Sequence, residues 1–119
     1  MITTATSRPA ERRREALRDR FVESIPTVVS RFHAFAETLA SRPSQPGLVA
    51  ALWRECHRVH GVARSHGFME ASRLAGALER RVRGWAGDAA LEREERARVI
   101  GEFAEAVDAA FQTDRATVD

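Results

Sequence analysis

The chain has 119 residues, room for one domain with a single core and none for the separate lobes of a nucleotide-driven enzyme. Hydrophobic residues make up 44% and charged residues 30%, a balance that excludes both a disordered chain and a membrane-embedded one. All 19 basic residues are arginine, and against 17 acidic residues they leave a net charge of +2. Arginine and glutamate are interleaved rather than blocked, which describes a solvated helix surface and argues against a nucleic-acid partner.

The lone Cys56 cannot form an internal disulfide, and the opening Met1-Ile2-Thr3-Thr4 has neither the charged flank nor the apolar run of a secretory signal. A cytoplasmic location is expected. Charges recur every few positions from Arg8 onward, so no stretch approaches the roughly 18 apolar residues of a membrane span.

Residues 1–7 are small, polar and without periodicity, and 113–119 are similar, so both ends are expected to fray around one domain at 8–112. Ser7-Arg8-Pro9 marks a helix start, followed by a short charged helix with Leu17 and Phe21 on one face. Ser24-Ile25-Pro26 signals a second start. Ile25, Val28, Val29, Phe32, Phe35, Ala36 and Leu39 then recur at helical spacing.

The segment from Ser41 to Gly47 holds two prolines, two serines and a glycine, which makes it a loop. A third helix runs from about Leu48 to His66 with Val49, Leu52, Cys56, Val59 and Ala63 inward, and Gly67 stands where a left-handed C-terminal residue is wanted. The next helix spans Met69 to about Trp85 on Ala71, Leu74, Ala75, Leu78, Val82 and Trp85, with Gly84 and Gly87 closing it. Asp88 is the expected N-cap of a final helix from Ala89 to about Gln112, which turns Ile100, Phe103, Val107, Ala110 and Phe111 inward. No strand pattern competes. The predicted fold is all-α, an antiparallel up-and-down four-helix bundle capped by the short N-terminal helix.

Three of the four histidines fall within ten positions, at His57, His60 and His66, while His33 is alone on the second helix. At about 100° per residue, His57 points away from the seam through Cys56 and Ala63, with Ala50, Gly61 and Arg64 on its stripe. Gly61 costs its helix about 1 kcal/mol relative to alanine and opens space beside the imidazole. A neutral imidazole has a free ring nitrogen that can act as a nucleophile, and the phosphoramidate it would form needs a nearby donor, which His60 or Arg64 can supply.

The run from His57 through Val59, Gly61, Ala63 and Gly67 to Leu74 and the Leu78-Glu79 pair resembles the histidine-containing phosphotransfer family of bacterial phosphorelays. The family pattern is roughly H-x-L-K-G-S-A-x-x-x-G followed by a helix ending in Leu-Glu, and the likeness extends more loosely over about residues 15–111. His60 stands at the family's lysine and Val62 at its serine. The resemblance implies a capped four-helix bundle in which His57 accepts a phosphoryl group from an aspartate of one receiver domain and passes it to another. His60, Gly61 and Arg64 would support that group. Ala50, Trp53, Arg54, Arg58 and Phe68, together with His57, Gly61 and Arg64, are expected to form the docking face for response-regulator receivers and a hybrid sensor kinase. Mg²⁺ would come with the receiver, and the carrier would need no cofactor of its own.

An autokinase is excluded, since the chain has no Gly-rich phosphate loop. The dimerisation helices of sensor kinases follow their histidine with an acidic residue and a proline, whereas Arg58 follows His57 here. A metal site is not expected, because Cys56 points into the seam and the helix lacks a Glu-x-x-His pair. Trp53 and Trp85 read first as core-edge packing, and Arg12-Arg13-Arg14 as a solvated helix end. A closed bundle leaves no apolar face that demands a dimer, so a monomer is expected. The reading from a different class is a non-phosphorylated adaptor of the same fold.

Overall fold

A computed structural model describes residues 4–42, 45–85 and 93–118, and every regular element among them is a helix. The four are α1 (Thr4–Ser41), α2 (Leu48–Ser65), α3 (Met69–Trp85) and α4 (Arg93–Val118). None of them is long and apolar enough to cross a membrane. The expected cap at Asp88, the glycine stop at Gly87 and the helix start at Ala89 lie outside the described residues.

The expected break at Ser24-Ile25-Pro26 is absent, and with it the separate N-terminal helix: α1 continues through both Pro9 and Pro26. An interior proline removes one backbone hydrogen bond and costs about 3 kcal/mol. The compensation is packing. Phe21, Val28, Phe32 and Leu39 are buried at spacings of seven, four and seven, one apolar stripe that runs straight past the proline. Phe32 meets Phe103 edge-on at 4.8 Å and Phe21 meets Phe111 at 5.8 Å, so both sides of Pro26 are anchored on α4. Leu17, expected inward beside Phe21, lies one turn before this stripe begins and is 54% exposed.

α1 packs chiefly on α4 and α2 on α3, and α3 against α4 joins the two pairs. α2 ends as its sequence requires. Gly67 adopts φ 82°, the Phe68 amide donates to the Ala63 carbonyl at 2.9 Å, and the Gly67 amide to that of Arg64 at 3.1 Å. The buried stripe of α2 is Leu48, Leu52, Cys56, Val59 and Ala63, with Leu48 taking the place expected of the half-buried Val49. Burial pushes the Cys56 thiol up to about 12, with help from the negative charges of Glu79 and Glu55, and leaves it an inert core residue.

The tail expected to fray from residue 113 is helical to Val118. Asp114 in this last turn is buried, and its carboxylate accepts the Glu70 amide at 3.2 Å and the Ala71 amide at 2.8 Å. These amides in the first turn of α3 have no intrahelical acceptor, and a carboxylate at a helix N-terminus also complements the dipole. Asp114→Ala should therefore lower the unfolding free energy by about 1–2 kcal/mol, measured by urea denaturation. A frayed tail would make the same substitution silent.

Candidate functional site

The site is built where α2 lies against one stripe of α3. Ser72, Gly76, Glu79 and Arg83 recur at spacings of four, three and four, beside the core stripe of Ala71, Ala75, Leu78 and Val82. Each member of the first stripe meets a residue of α2. The Ser72 hydroxyl donates to the His60 carbonyl at 2.9 Å. At Gly76 a Cβ atom would lie 3.1 Å from the His60 ring, so a side chain there would push the ring by a few tenths of an ångström. Glu79 takes one hydrogen bond from each of two histidines, with Oε2 3.0 Å from His57 Nδ1 and Oε1 3.2 Å from His60 Nδ1. The Arg83 guanidinium lies 5.6 Å from the centre of the Trp53 ring.

His57 projects outward as expected, its side chain 63% exposed. Trp53, one turn earlier, stacks on the imidazole with ring centres 5.1 Å apart and planes within 11°. Glu79 is the opposite case, a carboxylate only 12% exposed. Burial raises its pKa, but the hydrogen bonds and charge of His57 and His60 outweigh that effect and hold it below the ordinary carboxylate value. Glu79 is thus ionised at neutral pH and can only accept. A neutral His57 must place its hydrogen on Nδ1, which leaves the lone pair on Nε2.

The remaining expected residues divide. Ala50, Arg54, Gly61 and Arg64 are exposed on the His57 side of α2. Among the described residues a Cβ at Gly61 would meet nothing within 4 Å, so packing against them does not require glycine there. Arg58 is exposed, but its guanidinium forks onto Glu55 at 3.1 and 2.7 Å and its charge is largely matched. Trp53 is half-buried, supporting His57 as well as packing at the core edge.

Two expectations change. Phe68 cannot line a docking face, because it is fully buried among Phe21 and Phe111 with the Arg18 guanidinium 5.6 Å from its ring centre. The left-handed turn at Gly67 reverses the chain and drives this side chain inward. His60 is turned into α3, with Nδ1 on Glu79 and the opposite ring edge, carrying Nε2, against Gly76. Both of its nitrogens are directed to α3, so of the expected donors only Arg64 stands exposed beside His57.

Glu79, Gly76 and Arg83 were absent from the expected site. The sequence signal for Glu79 was its place in the Leu78-Glu79 pair, one residue from a buried leucine. Among the described residues no cluster of three or more histidine, cysteine or acidic side chains could hold a metal ion.

No curated protein and no solved structure matches this chain. A family model described as the Hpt domain matches residues 16–113, a span that takes in all of α2 and α3 and both histidines that Glu79 holds. With an exposed, carboxylate-oriented histidine at the motif position on an all-helical scaffold, the chain belongs to the Hpt domain family.

Proposed function

We propose that His57 is the phosphoacceptor of a phosphocarrier that moves a phosphoryl group between aspartates of receiver domains. Hpt domains are histidine phosphotransfer modules of phosphorelays, carriers rather than enzymes, and interact with receivers and kinases. The observation that carries the assignment to His57 is its geometry: Nδ1 is occupied by Glu79 while the side chain remains open to solvent. The pairing of Phe21 with Phe111 and of Phe32 with Phe103 supports an antiparallel up-and-down course for the bundle.

In the forward step Nε2 forms the bond to phosphorus as the bond to the receiver's aspartate oxygen breaks, and the electron pair leaves with that carboxylate. No proton has to move. The Nδ1 hydrogen stays between His57 and Glu79, and the positive charge that develops on the ring faces an anion held in place beforehand. The metal travels with the receiver, so this chain contributes the nucleophile, its orientation and a face to dock on. Ala50, Trp53, Arg54 and Arg58 form that face with Gly61, whose open space admits the partner's approach, and Arg64 is the donor for the phosphoryl oxygens.

Incubation with a receiver phosphorylated on its aspartate tests this reading. Label should appear on the chain within the transfer assay, stable to alkali and lost in acid, as a phosphoramidate must be. Absence of label from a broad panel of phosphorylated receivers, with binding retained, would replace the carrier by an adaptor.

A further inference from the structure

His60 occupies the position where the family pattern has a lysine, yet the structure gives it a different task from holding phosphate. Its Nδ1 bonds Glu79 Oε1 at 3.2 Å, its far edge rests on Gly76, and its own carbonyl accepts the Ser72 hydroxyl at 2.9 Å. Three contacts to one helix fix both the ring and the backbone that carries it.

Glu79 has two ordered oxygens, and each is taken by a different imidazole. A carboxylate held at one oxygen only is free to swing about its terminal torsion, which is broad and roughly twofold. Held at both, it presents Oε2 to His57 in one place. We propose that His60 is a positioning residue, which locks the Glu79 carboxylate and thereby selects the His57 tautomer whose lone pair lies on Nε2. Gly76 belongs to the same device, since its missing side chain leaves the His60 ring undisplaced where it bonds Glu79. Among the described residues the charged and titratable groups in this arrangement are His57 and His60 on α2 and Glu79 on α3, with the buried Cys56 thiol within reach of the Glu79 charge.

The inference rests on reading His57 as the acceptor for its functional meaning, but its structural content can be measured without phosphate. Nitrogen-15 NMR of the unphosphorylated 119-residue chain at neutral pH distinguishes a protonated from an unprotonated ring nitrogen. Wild type should show His57 with Nδ1 protonated and Nε2 bare. His60→Leu, which removes the donor, should shift both His57 nitrogens toward averaged values. It should also slow phosphoryl transfer, by up to the roughly hundredfold that a misplacement of about 1 Å can cost. His60→Asn places an amide N–H near the position of Nδ1 and should restore the single tautomer and most of the rate.

Gly76→Ala approaches the same point from α3. The added methyl would lie 3.1 Å from the His60 ring, which must give by a few tenths of an ångström, and the His57 signals should move in the same direction as in His60→Leu, by less. This second variant keeps the test decisive should His60→Leu fail to fold. Unchanged His57 signals in either folded variant would overturn the proposal, as would a shift in His60→Asn equal to that in His60→Leu, because the donor would then be irrelevant. Wild-type protein that takes no label while showing the single tautomer would sink the phosphoacceptor reading and leave the positioning intact.

Discussion

Replacing His57 with glutamine should abolish acceptance of phosphoryl groups altogether while leaving the fold in place. The imidazole is 63% exposed, so its loss opens no cavity in the core. Glu79 keeps its bond to His60 and does not become an unpaired buried charge. The expected stability cost is about 1–3 kcal/mol, that of one hydrogen bond plus the stacking on Trp53. Circular dichroism should be unchanged, and labelling from a phosphorylated receiver should fall to background. Label persisting at the wild-type level would move the acceptor to His33, His60 or His66. Neither His60, clamped against α3, nor His66, whose ring stacks on Phe21 at 5.2 Å, is disposed for that role.

Phe68→Ala should have the reverse signature. The ring is fully buried at the junction of α1, α3 and α4, 5.2 Å from Phe21 and 6.1 Å from Phe111 between ring centres. Truncating a buried phenylalanine costs about 3–5 kcal/mol. That is a large share of the roughly 5–15 kcal/mol that stabilises an ordinary domain. The thermal midpoint should fall by roughly 10–20 °C in a calorimetric scan. At a temperature where the variant is still folded, its transfer rate should stay near the wild-type value. A docking residue would give unchanged stability with slower transfer, and that result would restore the reading from the motif alone.

The two variants also mark what sequence reasoning could reach. Amphipathic spacing locates α2 and α3 closely, because a helix whose one face is buried must repeat its apolar residues every three or four positions. The stop at Gly67 was legible for a local reason, since the left-handed backbone there favours a residue without Cβ. Pro26 misled for the complementary reason. Its cost is local and visible, whereas the stripe from Phe21 to Leu39 that overrides it acts only when α4 is alongside. Asp114 shows the same asymmetry, a polar residue near a chain end whose buried role exists only because α3 begins beside it.

For the site, the sequence by itself determined the direction of the proposed acceptor. His57 faces away from the seam of its own helix, and that follows from rotation per residue with no knowledge of the neighbours. Only the tertiary structure decided what holds it. Ser72, Gly76, Glu79 and Arg83 read in isolation as two solvated charges and two small residues, and become a supporting stripe once α3 is set in register against α2. The register is fixed by the packing of the apolar stripes, a sum over many side chains on both helices. A carboxylate 22 positions beyond His57 can therefore orient its imidazole, and no spacing rule within one helix could have said so.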